Sequence, residues 1–451
     1  MKKAYYLPQI RCPEAILTVG GHDLSLPILH PEEISALSDR LILAQERFAG
    51  NSIFTIVDYI AQAAEQWRDT NNPRRREAQS VLPEVCGLSK EMVSLVLDDL
   101  FEQLTKKNLL QLLEDELGNV AILDRFCKKK NGSTRRRAFG PPLIAQILPG
   151  NVLGVSIISL ICGLLVKSAN LLRVSPEEIR LTTLFAESLQ EISPEIALSI
   201  AVLLWDKKEE AMTQTVFQKA DFVIAYGSDE SIAAMQSLIP SNTPRILHGH
   251  KLSFGIIARE AVSEDLATKV AMDIALYDQQ GCLSPHLYYV ESGGESTALD
   301  FAKHLAEALQ QLSLKLPKGL CDDAVAGKTQ QLRGTLPLKG GTVFKSVDGT
   351  DWTVLFEPSP EFTSAPLGRC IWIKSVDDLS KIPSLMISVK NRIQAIGIAI
   401  PKTRADGIVE AVSKIGGCRI CPIGEMQRPP LNWSHDGQKR LLPLLRFVDR
   451  E

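Results

Sequence analysis

From residue 142 onward the chain repeats one unit: an apolar run of strand length, a turn containing Gly, Pro or Asn, then apolar residues at helical spacing. Residues 143–148 and 171–174 read as strands with a helix over 152–165 between them, and helices follow from Pro176 and from Pro194. Residues 221–226 give another buried-looking strand that ends at Gly227-Ser228, followed by a helix over 229–238 and a strand over 245–248. Apolar residues at helical spacing recur over 266–277. Beyond them the pattern predicts strands over 287–291, 352–356, 371–373 and 396–400, and helices over 299–312, 376–382 and 404–415. Strand and helix units in this order predict an α/β fold of parallel sheets covered on both faces. In such sheets ligands bind beyond the carboxyl ends of the strands.

The stretch Ile147 to Val166 carries no charged residue and is long enough to span a bilayer. Its punctuation by Pro149, Gly150, Asn151, Gly154, Ser156, Ser159 and Gly163 instead favours a strand, a tight turn and a buried helix, so no membrane span is expected. Ahead of it, residues 14–28 read as a hairpin about Gly20-Gly21, and helical patterns cover 31–48, 52–68, 90–104 and 107–117, with Ser52 and Ser89 as N-caps. Lys128-Lys129-Lys130 and Arg135-Arg136-Arg137 flank Asn131-Gly132-Ser133-Thr134. This segment reads as a solvated basic loop, the alternative being a docking patch for a phosphate-bearing substrate or partner.

A chain of 451 residues is too long for one typical core. The expected divisions are 1–250, a helical N-terminal segment with the first α/β unit; 251–428, the second unit; and 429–451, a tail. Leu441, Leu442, Leu444, Leu445 and Phe447 of that tail need a surface to pack on. A net charge of -3 gives no global field for nucleic acid. The nine cysteines, an odd count without disulfide-like rhythm, suit a reducing, cytoplasmic setting. Cys418-Arg-Ile-Cys421 stands alone, so it is read as two core or loop cysteines and no metal is expected. The Met-Lys-Lys start is not followed by a continuous apolar run, and no signal peptide is expected.

Four places suggest chemistry. In Asp278-Gln-Gln-Gly-Cys282-Leu-Ser-Pro-His286 a thiol stands among small and turn-forming residues between a helical and a strand pattern. Cys282 is either a nucleophile or a small buried hydrophobe. Leu148-Pro149-Gly150-Asn151 ends a strand in an amide that either donates to a developing oxyanion or stabilises its own turn. Tyr226-Gly227-Ser228 joins a strand to a helix N-terminus suited to a dinucleotide phosphate, although the GxGxxG fingerprint is absent. Arg173, at a strand end, is either a ribose or 2′-phosphate contact or a surface arginine.

Asn151, Arg173, Gly227-Ser228 and Cys282 follow one another in an order and at intervals that resemble the aldehyde dehydrogenase superfamily. Three segments narrow the resemblance to the LuxC-type acyl-CoA reductases: Gly249-His-Lys-Leu-Ser-Phe-Gly255, the Cys282 segment, and Arg428-Pro-Pro-Leu-Asn-Trp433-Ser-His435-Asp436-Gly437. It covers residues 140–451 well and the N-terminal helices more loosely. The resemblance implies two Rossmann-type domains, with NADPH bound by the first, within 1–250, and the thioester by the second. It implies reduction of a fatty acyl-CoA or carrier-bound acyl group to the aldehyde through a thioacyl-enzyme on Cys282, with Asn151 at the oxyanion. Arg173, Ser175, Gly227 and Ser228 are the implied cofactor contacts, and the tail is an implied oligomerisation or packing element. A homo-oligomer and an acyl-activating enzyme partner are implied too. Aldehyde-oxidising relatives carry a water-activating glutamate where this chain has Leu247-His248-Gly249-His250. Its absence favours thioester reduction and leaves His248 and His250 as acid/base candidates. The alternatives are a short-chain CoA-acylating dehydrogenase using NADH and a non-reducing acyl-transfer scaffold.

Overall fold

The computed structural model describes residues 2–8, 12–129 and 133–451. Strands β1 (Leu143–Ile147), β2 (Ala169–Arg173), β3 (Ile200–Leu203), β4 (Phe222–Tyr226) and β5 (Arg245–His248) form a wholly parallel sheet in the order β5-β4-β1-β2-β3. The chain winds outward from β1 to β3 and then returns to the other side of β1. That reversal opens a crevice between the carboxyl ends of β1 and β4.

Side chains alternate across the sheet because successive strand residues point to opposite faces. Ile144, Leu172, Val202 and Ile224 pack with Ile157, Leu160, Ile161 and Leu164 of the helix Val155–Leu165, and with the N-terminal helices Ile53–Arg68 and Lys90–Gln103. On the opposite face Ala145, Leu171, Ala201 and Val223 meet Ile34, Leu37 and Leu41 of the helix Pro31–Phe48 and Phe217 of the helix Glu210–Lys219. The N-terminal helices are therefore the covering layers of this sheet. Ser52 and Ser89 cap their helices by accepting from the amides of Phe54 and Met92. The uncharged stretch divides into β1, a turn, and an 11-residue helix. Among the described residues no helix is long and apolar enough to cross a membrane.

Seven further strands, β6 (Leu252–Ile257), β7 (Pro285–Glu291), β8 (Thr342–Lys345), β9 (Thr353–Glu357), β10 (Cys370–Val376), β11 (Ile393–Ala399) and β12 (Arg419–Pro422), build a second sheet. Its order is β8-β9-β10-β7-β6-β11-β12, parallel except for the β8–β9 pair. Every residue of β7 is buried; Tyr288 and Val290 face one core, Leu287 and Tyr289 the other. Residues 376–382, expected to be helical, instead begin as the last residue of β10. Only a 3-10 turn and the short helix Ile382–Leu385 follow.

The basic segment is not a free loop. Cys127–Lys128 and Arg135–Phe139 are strands, and the latter pairs antiparallel with Arg446–Arg450 of the tail. Asp449 accepts from Lys129 Nζ and Arg136 Nε, each at 2.7 Å, so part of the positive charge is matched internally. Lys130, Asn131 and Gly132 of that reading lie outside the described residues. Leu441 and Leu444 of the tail are buried in the core beside the first sheet.

Candidate active site

The carboxyl edge of the first sheet faces the amino edge of the second across a cavity of about 820 Å³. From the first sheet come Asn151 after β1, Gly227 and Ser228 after β4, and His248 at the end of β5 followed by His250. Cys282 comes from the loop before β7, and residues 427–440 close one side.

The turn after β1 is anchored from beneath. Gly154, with φ 94, starts the helix Val155–Leu165, and its amide donates to the buried Glu178 carboxyl. A side chain at 154 would both strain this backbone and meet Leu100, 2.8 Å from an added Cβ. Burial raises the Glu178 pKa from an ordinary 4.5 to about 8, so the folded protein holds it neutral where the unfolded chain ionises it. A raised folded-state pKa means stability that is complete below the unfolded value and is lost as pH rises through the folded one. The Glu178→Gln variant, neutral throughout, should therefore gain on the wild type between pH 5 and 8, by up to about 1.4 kcal/mol per pH unit. Denaturant midpoints of both proteins across that range check it, and a constant difference would refute the assignment.

The Cys282 loop is held by more contacts than its length requires. Tyr277, Asp278 and Gln279 have φ of 53, 49 and 64, a left-handed run that non-glycine residues adopt at a cost. Asp278 is pinned by the buried Arg369, whose Nε donates at 2.8 Å and whose Nη1 donates to the Leu316 carbonyl. Gln279 Nε2 donates to the carbonyls of Pro285 and Cys370. Ser284 Oγ accepts from the Gly281 amide and from Gln427 Nε2, and Ser253 Oγ donates to the Cys282 carbonyl at 2.8 Å. Gln394 Nε2 approaches the half-buried Cys282 Sγ at 3.9 Å. Burial, aided by the charge of Asp436, pushes this thiol up to about 12, with the Gln394 contact working the other way. A thiol held this far up stays protonated at neutral pH, so attack calls for a proton acceptor.

Asn151 Nδ2 donates to the Gln280 carbonyl at 2.8 Å, which ties the amide to the thiol's loop. His250 lies at the cavity rim, exposed, with its backbone amide donating to Asp229. His248 is embedded: its ring stacks against Tyr226 at 4.3 Å and against His435 at 4.4 Å, those two rings themselves lying 5.8 Å apart, and its Nδ1 lies 2.6 Å from Asp436 Oδ2. Ser228 caps the helix Asp229–Leu238 by accepting from the Ser231 amide. Arg173 and Ser175 are not brought into this cavity. The Arg173 guanidinium is buried and donates to the Trp205 carbonyl. Ser175 packs under Gly150, where an added Cβ would fall 2.1 Å from its Oγ.

Sequence reasoning found the Arg428–Gly437 segment but gave His435 and Asp436 no role. Leu247–His250 lacks a carboxylate, yet the fold supplies one from a segment 188 residues away. His248, His435 and Asp436 also offer donor atoms within 4.8 Å of one another. The two imidazoles lie within 23° of parallel, and His248 Nδ1 is already engaged by Asp436. A second cavity thiol, Cys162, sits inside the helix Val155–Leu165, buried and raised to about 11.

A doubly wound sheet opposed to a second parallel sheet, with a cysteine loop between them, defines an aldehyde dehydrogenase-like protein. Aldehyde dehydrogenase 21 from Physcomitrella patens, solved with succinate, superposes with a TM-score of 0.76 at 12% identity, covering 100% of this chain and 98% of that one. An NADP-dependent glyceraldehyde-3-phosphate dehydrogenase from Bacillus halodurans, solved with NADP, gives 0.73 at 14% identity, covering 100% and 99%. The family described as Acyl-CoA reductase (LuxC) matches residues 49–447, and the chain belongs to it. The long-chain acyl-protein thioester reductase of Aliivibrio fischeri is 27% identical over 402 residues, 88% of this chain and 82% of that protein.

Proposed function

We propose that the protein reduces a long-chain fatty acyl thioester, on CoA or on a carrier protein, to the aldehyde through a thioacyl-enzyme on Cys282, with NADPH as reductant. The observation that carries this reading is the cavity itself, where a thiol, the Asn151 amide and an embedded imidazole converge while Leu247–His250 offers no carboxylate to activate water. The name borne by the Aliivibrio fischeri relative supports the same substrate class.

A nicotinamide dinucleotide suits the crevice between β1 and β4. Gly227 keeps its floor low, since an added Cβ would stand 2.9 Å from Ser231 Cβ, and Ser228 opens the helix behind it. Gly227 and Ser228 would hold the phosphates, while Arg173, whose donors are taken by the Trp205 carbonyl, and Ser175, under Gly150, lie outside the cavity. Bound NADPH supplies the hydride. On this reading residues 1–250 bind the cofactor, 251–428 carry the acyl group, and 429–451 pack on the first unit. A homo-oligomer served by an acyl-activating enzyme completes it.

The protein's own residues do the rest. Cys282 Sγ attacks the thioester carbonyl, the carrier thiol departs, and the acyl group stays on sulfur. Reduction of that carbonyl places negative charge on its oxygen, which the Asn151 amide and the Cys282 N–H are suited to receive. Re-formation of the carbonyl expels the Cys282 sulfur and frees the aldehyde. Asn151→Ala should lower the reduction rate about 100-fold with little change in half-saturating acyl-CoA, as loss of one oxyanion donor does. Steady-state NADPH oxidation over a panel of acyl-CoAs and acyl carriers measures this and the substrate together. Absence of NADPH oxidation with every thioester would refute the function, and preference for NADH and short chains would redirect it to a CoA-acylating dehydrogenase.

A further inference from the structure

Building on the thioester reading above, we infer that Asp436 is a positioning residue for His248, holding its Nδ1–H so that Nε2 takes and returns the proton of Cys282 during acyl transfer.

The pair is set up more tightly than a surface ion pair. Nδ1 and Oδ2 are 2.6 Å apart, and the two side chains are only 11% and 12% exposed. Asp436 itself has φ 51 and is followed by Gly437 at φ 74, within a turn closed by the Gln438 amide donating to the His435 carbonyl. Left-handed backbone at an aspartate, ahead of a glycine, aims this carboxylate at β5. Tyr226 and His435 both stack against the imidazole, at 4.3 and 4.4 Å, and limit its rotation. Among the described residues Asp436 Oδ1 has no hydrogen-bond partner, and His435 Nε2 stands 3.7 Å from it, so His248 is the one side chain hydrogen-bonded to this carboxylate among them.

The charged and titratable groups around His248 fit the role. Tyr226 comes from β4, where burial keeps its phenol protonated. His435, Asp436 and Arg440 come from the closing segment, Lys251 follows β5, and Cys282 lines the same cavity within reach of the Asp436 charge. Burial and the neighbouring His248 hold His435 neutral, while, against the cost of its burial, the hydrogen bond from His248 and the nearby Lys251 hold Asp436 ionised. An ionised carboxylate accepts from Nδ1–H and leaves the lone pair on Nε2.

The proton balance closes. As the sulfur–carbonyl bond forms, the Cys282 proton passes to Nε2. As the carrier C–S bond breaks, the imidazolium gives that proton to the departing thiolate. Acyl transfer consumes no other reactant, and the Asp436 charge stabilises the intervening imidazolium.

Acyl transfer can be followed without cofactor, as the burst of free CoA when the full-length protein meets dodecanoyl-CoA, with intact mass reporting the adduct. The amide introduced by Asp436→Asn can turn its NH2 toward Nδ1 and favour the Nε2–H tautomer, so this variant should slow the burst about 100-fold. The half-saturating dodecanoyl-CoA should stay near the wild-type value. The pH dependence of the burst should also differ between the two proteins, Asp436→Asn keeping only the alkaline rise of direct thiol ionisation. His248→Gln should be similarly slow, and the double variant no slower than His248→Gln alone. A burst in Asp436→Asn within threefold of wild type, an unchanged pH profile, or effects that multiply in the double variant would overturn the inference. If Asp436→Asn does not fold, a His248→Gln protein with the wild-type burst and pH profile overturns it instead. Wild-type protein that never acylates on Cys282 would fail the thioester reading itself, a result visible before any variant is made.

Discussion

Cys282→Ala is expected to fold as the wild type does and to lose both the acyl adduct and NADPH oxidation, by a factor on the order of 10^5 or more. The size of the effect follows from the chemistry: without the sulfur there is no covalent intermediate, and an alanine methyl offers nothing for the acyl group to bond. Six of the nine cysteines are partly exposed, so adventitious acylation elsewhere must be separated from the specific adduct. Cys162 is the informative control because it lines the same cavity. It lies within a helix, with neither a turn presenting it nor an amide tied to its loop. Cys162→Ala should keep adduct and turnover within a few-fold of wild type. Peptide mapping of the adduct to residue 162, or an undiminished adduct in Cys282→Ala, would remove Cys282 from the mechanism.

The largest expected effect on stability lies behind that loop. Arg369→Ala leaves Asp278 as a buried carboxylate without its partner, beneath three consecutive left-handed residues. Removing one member of a buried ion pair typically costs about 3–5 kcal/mol, because the survivor keeps its desolvation penalty. Both side chains here are about 1–2% exposed, which puts this pair in that regime. Replacing both, as Asp278→Asn with Arg369→Met, should recover much of the loss in denaturant unfolding. Equal stability of Arg369→Ala and wild type would mean that solvent or relaxation relieves the buried charge.

What the sequence made legible was chemistry encoded locally. A proline-glycine-asparagine turn after a strand, a glycine-serine helix start and a cysteine between turn residues each carry their signal within a few positions. Strand β6 escaped because Ser253 and Gly255 interrupt its apolar run. Both are buried for tertiary reasons: Ser253 Oγ holds the Cys282 carbonyl and the Ala395 amide, and a Cβ at 255 would stand 2.1 Å from the Tyr288 ring. The helix Asp323–Thr335 escaped because it buries only Thr329 and Arg333 and so shows no apolar stripe. Glu178, Arg369 and Asp436 are polar residues whose meaning lies in a distant partner, and spacing along the chain does not reveal such pairs. Arg173 illustrates the converse: a strand-end arginine suggests a ligand contact, yet here a backbone carbonyl takes its donors.

The segment that closes the cavity also fixes when the site can exist during folding. Arg428 Nε donates to Asp99 across 329 positions, and the amides of Arg440 and Leu441 donate to Glu116 across 324 and 325. Contacts this remote in sequence bear the greatest loop-closure entropy and form after local helices and neighbouring strands. Gln427 of the same segment also donates to Ser284 Oγ in the cysteine loop, so one distant piece of chain completes both the frame of the thiol and the carboxylate at His248. Reactivity toward thioesters is therefore expected to arrive with the docking of that segment.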